Sequence, residues 1–189
     1  MLRFLKSLVK GPGVGLPGFS KGADLCLSMA SHLKDIMATV ILSGSVLNVG
    51  SALHYKGMTI LPRGSDPEHI KMTKDGFADI VDALNNPLEE PNRRSLIPVE
   101  KAESCFLFLV ANEAAKLLQA HGKKKPKIIC YPETGHCIVP PYLPVCLVSF
   151  HTLVGKLVIW GGEVRVHSMA QIDAWKQLQA FFHKHLGND

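Results

Sequence analysis

Gly18-Phe19-Ser20-Lys21-Gly22 decides how the rest of this chain is read. The five residues match G-x-S-x-G. An apolar run, Val14 to Leu16, leads into them, and a helix-like run, Ala23 to Leu33, follows. Strand, sharp turn and helix is the setting in which this motif carries chemistry. There the serine sits on a strained turn and its hydroxyl projects from the top of a sheet. Both glycines are expected to be sterically required, because side chains there would collide with the neighbouring strand and helix. The five letters alone also fit a plain glycine-rich turn; the flanking elements favour a nucleophile.

The 189 residues suit one domain, and 47% of them are apolar, enough for a sizeable core. No apolar run reaches the roughly 18 residues that a membrane span needs. The five cysteines, Cys26, Cys105, Cys130, Cys137 and Cys146, are odd in number, form no C-x-x-C pair and mostly lie in apolar runs. That pattern predicts reduced, buried thiols and a cytoplasmic protein. Cys130, His136 and Cys137 fit no zinc template, so no metal is expected. Much of the net charge of +5 comes from Lys123, Lys124, Lys125 and Lys127. They form one compact run without interleaved aromatics, a solvated loop rather than a nucleic-acid surface. The run precedes a strand, at the bottom of a parallel sheet and away from the edge where ligands bind, which counts against its holding an anionic substrate. Met1 to Lys10 carries Arg3, Lys6 and Lys10 with no acid. It reads as a surface helix in preference to a short mitochondrial presequence. Gly187-Asn188-Asp189 is not a peroxisomal address.

Strands are predicted at Gly13–Leu16, Thr39–Ser43, Cys105–Val110 and Lys127–Tyr131, each short, apolar and rich in branched or aromatic residues. Helices are predicted at Gly22–Lys34, Lys74–Leu84, Asn112–Ala120 and Met169–Leu186. In the second of these Phe77, Ile80, Val81 and Leu84 share a face; in the last, Ile172, Trp175, Leu178, Phe181 and Phe182 do. Alternation of strands and helices implies an α/β fold with a parallel sheet flanked by helices. The stretch from Asn48 to Glu103 is too long for a simple crossover and reads as a lid-like insertion within a domain that covers residues 1–189. Gly155–Val166 reads as a surface loop.

A serine nucleophile needs a base to take its proton and an acid to hold that base in the right tautomer. The hydrolase chain order is Ser, then Asp or Glu, then His. Lys127–Tyr131 is followed by Pro132-Glu133-Thr134-Gly135-His136, so His136 falls on a loop after the last strand, where the base belongs. The other eight histidines lie on helices or in less suitable loops. The acid should follow Cys105–Val110, but Ala111-Asn112-Glu113 runs directly into a helix and no aspartate stands there. The triad acid is absent. Glu113 is a weak surrogate, better read as a favourable charge at a helix N-terminus.

At this point the chain resembles a known family. Gly-Phe-Ser-Lys-Gly around Ser20, Asp24-Leu25-Cys26-Leu27-Ser28-Met29-Ala30, Tyr131-Pro132-Glu133-Thr134-Gly135-His136, Trp160-Gly161-Gly162-Glu163 and Asp173-Ala174-Trp175-Lys176-Gln177-Leu178-Gln179 look like the C-terminal catalytic region of the type I acyl-coenzyme A thioesterases. That family includes the bile acid-CoA:amino acid N-acyltransferases. The resemblance covers nearly the whole chain. It implies the C-terminal half of an α/β-hydrolase fold and hydrolysis of fatty acyl-CoA through an acyl-serine intermediate. By the same resemblance Ser20 is the nucleophile, His136 the general base and the Lys21 backbone N–H an oxyanion donor, with no cofactor. The transferase branch typically carries Cys at the nucleophile position. An acyl-serine ester is a poorer donor to amines than an acyl-cysteine thioester, so Ser20 favours hydrolysis over transfer to an amino acid.

The departures imply an impaired enzyme. The family's N-terminal β-sandwich and the first half of its sheet are missing, and with them the second oxyanion donor, so the chain reads as a truncated copy. The aspartate-bearing loop is also missing. Pro17 lies where the elbow strand should continue, and Val139 stands where relatives tend to have glutamate. Loss of a triad acid costs about 10⁴ in kcat, and loss of one oxyanion donor about 10²–10³. Without the early strands, the elbow strand becomes an exposed edge that invites pairing with another chain, such as a full-length relative.

Overall fold

Phe106, Leu107, Phe108 and Leu109 follow one another without a polar break and all four are buried. A strand hidden on both faces needs such a run, because it lies inside a parallel sheet covered on each side. The computed structural model describes residues 11–63, 67–80, 94–109, 118, 120, 122–123 and 125–187. They fall into two units, one drawn from Met1–Val46, Ile97–Tyr131 and Asp173–Asp189, the other from Leu47–Leu96 and Pro132–Ile172.

The first unit holds a parallel sheet in the order β1 (Val14–Phe19), β2 (Ile36–Leu42), β7 (Cys105–Leu109), β8 (Lys127–Ile129). The mixed α/β class and parallel sheet are those expected from the sequence. Helix α1 (Lys21–His32) follows β1 and turns Ala23, Cys26, Leu27, Ala30 and Ser31 inward, the spacing of one helical face. Burying a Leu or Phe contributes roughly 1.5–3 kcal/mol, so Leu27, Ile41, Leu107 and Phe108 dominate this core. The one hydroxyl in the middle of β2, Thr39 Oγ1, is satisfied by Ser104 Oγ at 2.9 Å.

Pro17 does not interrupt β1. The Ser20 N–H donates to the Leu42 carbonyl at 3.0 Å. Counting back along the alternation of a strand, the amides of Gly18 and Leu16 also face β2 and position 17 faces outward. The missing N–H therefore falls on the open side of what is, among the described residues, the end strand of its sheet. A proline is tolerated there, and it blunts that edge toward other chains.

In the second unit, β3 (Leu53–Tyr55) and β4 (Met58–Ile60) form a hairpin across Lys56 and Gly57, both at positive φ as a tight primed turn requires. A four-stranded sheet has the order β5 (Lys71–Met72), β6 (Ala78–Asp79), β10 (Lys156–Ile159), β9 (Val148–His151). Helix α2 (Val164–Leu186) follows; residues 164–172 belong to this unit and 173–186 to the first. Its buried Ala170, Ala174, Leu178 and Phe181 recur at helical spacing.

Several expectations need correction. The helix predicted over 74–84 is not there in its described part. Asp75 and Gly76 instead make the turn of the β5–β6 hairpin, with Gly76 at φ 81° and its N–H donated to the Thr73 carbonyl at 3.0 Å. A turn signal outweighed an apolar periodicity. Residues 155–166 are not a loop: they contain β10 and the first turn of α2. Most of the predicted helix at 112–120 lies outside the described residues, as do Glu113, Lys124 and the first ten residues. Of the cysteines only Cys26 and Cys137 are buried, and Cys130 is exposed.

The two glycines of the motif also differ. A Cβ on Gly18 would meet the Gly22 carbonyl oxygen, and Ala23 Cα and Cys26 Sγ at 2.8 Å, whereas a Cβ on Gly22 meets nothing within 4 Å. Only the first glycine is required by packing. Gly18→Ala should therefore lower unfolding stability by about 1–3 kcal/mol. Gly22→Ala, in a helical first turn, should leave it unchanged or raise it by up to about 1 kcal/mol. Urea midpoints of the two variants beside the parent chain check this; equal losses would refute the steric asymmetry.

Candidate active site

Ser20 stands between the last residue of β1 and the first of α1, with φ 51° and ψ −119°. A residue with a Cβ rarely adopts positive φ, and holding it there costs on the order of 1–3 kcal/mol. Two backbone bonds fix it. Its N–H donates to Leu42 O at 3.0 Å, and its carbonyl accepts the Ala23 N–H at 2.9 Å. Serine is a favoured helix cap because its oxygen takes an amide of the first turn. Ser20 occupies the cap position without using its side chain that way. The strained turn thus holds a hydroxyl at the carboxyl edge of the sheet, beside the N-terminus of α1.

Lys21 opens α1, where amides lie beyond the reach of the intrahelical ladder and the helix dipole favours negative charge. Its ammonium lies 3.7 Å from the Asp24 carboxylate, which is 2% exposed. Partial burial lowers the Lys21 pKa and Asp24 opposes that shift. The neighbouring thiol is no rival nucleophile: burial pushes Cys26 up to about 11, far from the thiolate that reactivity needs. A cavity of about 700 Å³ in the same unit, lined by Phe106, Leu118, Phe181, Lys123 and Lys184, opens at the amino ends of β7 and β8. It lies at the edge of the sheet opposite Ser20.

His136 belongs to the second unit. Its N–H donates to the Trp160 carbonyl at 2.9 Å, and its ring stacks on the Trp160 indole with centroids 5.0 Å apart and planes 25° apart. His151 packs near the same indole at 5.6 Å, and the indole N–H donates to Ser149 Oγ at 2.7 Å. Burial above all, and then His151, lower the His136 pKa below the ordinary histidine value. A base that must be neutral to act gains from that direction. The adjacent Cys137 thiol is pushed up by burial and by Cys146 and stays protonated. At the start of this loop Tyr131 donates to Asp173 at 2.7 Å, within the first unit.

Trp160-Gly161-Gly162-Glu163 serves the same loop. The Glu163 N–H donates to the Glu133 carbonyl at 3.0 Å, and its carboxylate accepts the amides of Val166 and Arg165. Those two bonds lower the Glu163 pKa and fix where α2 begins. Ser20 and Lys21 thus share the elbow in the first unit and His136 sits in the second, while Glu113 lies outside the described residues. Reading the sequence assigned Trp160 no contact with His136 and missed His151 beside the same indole, because neither the loop nor strand β9 shows in sequence which ring it packs against. Among the described residues no three His, Cys, Asp or Glu side chains are grouped to hold a metal.

The sequence model of the BAAT / acyl-CoA thioester hydrolase C-terminal region matches residues 2–188. The chain is 65% identical to human acyl-coenzyme A thioesterase 2, mitochondrial, over 95% of its own length and 40% of that protein. It is 64% identical to human acyl-coenzyme A thioesterase 1, over 95% of the chain and 45% of the relative. Against acyl-coenzyme A thioesterase 3 of Mus musculus it is 57% identical, over 94% and 44%. The chain spans less than half the length of these relatives. A strained serine elbow on a parallel sheet, and a match to one family model over almost every residue, lead to one conclusion: the chain belongs to the BAAT / acyl-CoA thioester hydrolase family and carries its C-terminal, α/β-hydrolase-type region.

Proposed function

We propose that the protein hydrolyses fatty acyl-CoA to free fatty acid and CoA through an acyl-serine intermediate, with Ser20 as nucleophile and His136 as general base. The observation that carries this reading is the backbone of Ser20, held at φ 51° on the turn between β1 and α1. Both Ser20 and the chain entering the His136 loop leave the carboxyl edge of the parallel sheet, the edge where such sheets bind ligands.

Ser20 Oγ attacks the thioester carbonyl carbon while its proton passes to the His136 imidazole. The carbonyl oxygen becomes an oxyanion that the Lys21 N–H and the dipole of α1 favour. Collapse breaks the C–S bond, and the imidazolium returns its proton to the departing CoA thiolate. Water then attacks the acyl-serine ester; His136 takes its proton and gives it to Ser20 Oγ as the fatty acid leaves. A missing triad acid slows each proton transfer but leaves the sequence of bonds unchanged. Serine at the nucleophile position favours water over an amine as acceptor.

Incubation with a long-chain acyl-CoA should release free thiol, and Ser20→Ala should abolish the enzymatic part of that release. Added glycine or taurine should yield no conjugate. Equal thiol release from Ser20→Ala would sink the assignment, and conjugate formation would replace hydrolysis by acyl transfer.

The pH profile gives a second check. The depressed pKa of His136 keeps the imidazole neutral to lower pH than an ordinary histidine. Activity should therefore hold through pH 6.5 and fall only below it, as His136 becomes protonated. An acid limb in kcat/KM centred above 7 would contradict this.

A further inference from the structure

The backbone around His136 is gripped on both sides by a single side chain. His167, near the start of α2, is 0% exposed. Its Nδ1 accepts the Gly135 N–H at 3.0 Å, and its Nε2 lies 2.8 Å from the Cys137 carbonyl oxygen. A backbone N–H can only donate and a carbonyl can only accept. The ring must therefore be neutral, with its proton on Nε2. The two bonds bracket His136, whose own N–H is held by Trp160 O at 2.9 Å.

The glycines around this contact have no spare room. A Cβ on Gly135 would meet the Gly161 carbonyl oxygen, and Trp160 O at 2.7 Å. A Cβ on Gly162, itself at φ 96°, would meet the Gly135 nitrogen, and His167 Nδ1 at 3.0 Å. The close backbone approach that Gly135 and Gly162 allow is what lets one imidazole reach both residues flanking His136. Hydrophobic packing alone does not account for a buried histidine with both ring nitrogens bonded to the residues before and after the candidate base.

We propose that His167 is a positioning residue for His136: as the neutral Nε2–H tautomer it staples Gly135 and Cys137 and so fixes the direction in which the His136 ring stands against Trp160. Its catalytic value rests on the reading of His136 as general base, but the staple itself can be observed without turnover. A histidine that only stabilised the fold would change melting and leave the His136 ring where it is.

The test compares the 189-residue chain with His167→Ala, His167→Asn and His167→Gln by imidazole ¹H–¹⁵N NMR and by steady-state hydrolysis of a long-chain acyl-CoA. Asn keeps an acceptor near the Nδ1 position, and Gln keeps a donor near the Nε2 position. In the parent chain, His167 should show a protonated Nε2 and an unprotonated Nδ1, and the His136 ring protons should carry an upfield shift from the Trp160 indole. In His167→Ala that shift should largely disappear, and the titration midpoint of His136 should move back toward 6.5 as burial is lost. Asn and Gln should each restore part of both. kcat should fall by about 10- to 100-fold in His167→Ala with KM little changed. Should His167→Ala fail to melt cooperatively, the Asn and Gln variants carry the comparison. Unchanged His136 signals in a folded variant, or an Nδ1–H tautomer at His167, would overturn the proposal. Signals that respond as expected in a chain without any turnover would uphold the staple and discard His136 as a base.

Discussion

One backbone conformation organises the serine elbow of this fold. Ser20 sits at positive φ between a strand and a helix, and residues other than glycine avoid that region because their Cβ crowds the backbone. The strain persists because its neighbours over-determine it. The Ser20 amide is tied to β2 and its carbonyl to the first turn of α1. Gly18 lets that turn fold down onto the strand: any side chain there would strike Gly22, Ala23 and Cys26. The glycine four residues later faces open space among the described residues, so the motif is held by one steric demand.

A second constraint orders the His136 loop. Between Glu133 and Cys137 the backbone is bonded to Trp160, Glu163 and His167, all within one stretch that ends a hairpin and begins a helix. Two glycines, Gly135 and Gly162, permit that approach. Burial above all, and then His151, bias the His136 ring toward its neutral form. The Cys26 and Cys137 thiols are both raised by burial and stay protonated.

Much of the first unit was legible in the sequence. Continuous apolar runs such as Val40-Ile41-Leu42 and Phe106-Leu107-Phe108-Leu109 admit few readings other than buried parallel strands, and the elbow motif placed Ser20 on a turn. The second unit was harder. Its strands are two to four residues long, too short to show a period, and Ala78 pairs with Val158 from a remote part of the chain. Phe77, Ile80, Val81 and Leu84 mimicked a helical face, yet Asp75-Gly76 had already fixed a turn beneath them. His167 was invisible for a different reason: a histidine on a helix looks solvated until the loop it bonds, more than two dozen residues earlier, is folded onto it.

The central claim is that the Ser20 hydroxyl is the nucleophile, and covalent capture tests it most directly. The chain should be treated with a long-chain fluorophosphonate, digested, and its peptides weighed. The account predicts one adduct, on the peptide that contains Ser20, suppressed by excess acyl-CoA and absent from His136→Ala. Modification of a different residue, or labelling indifferent to acyl-CoA, would contradict it.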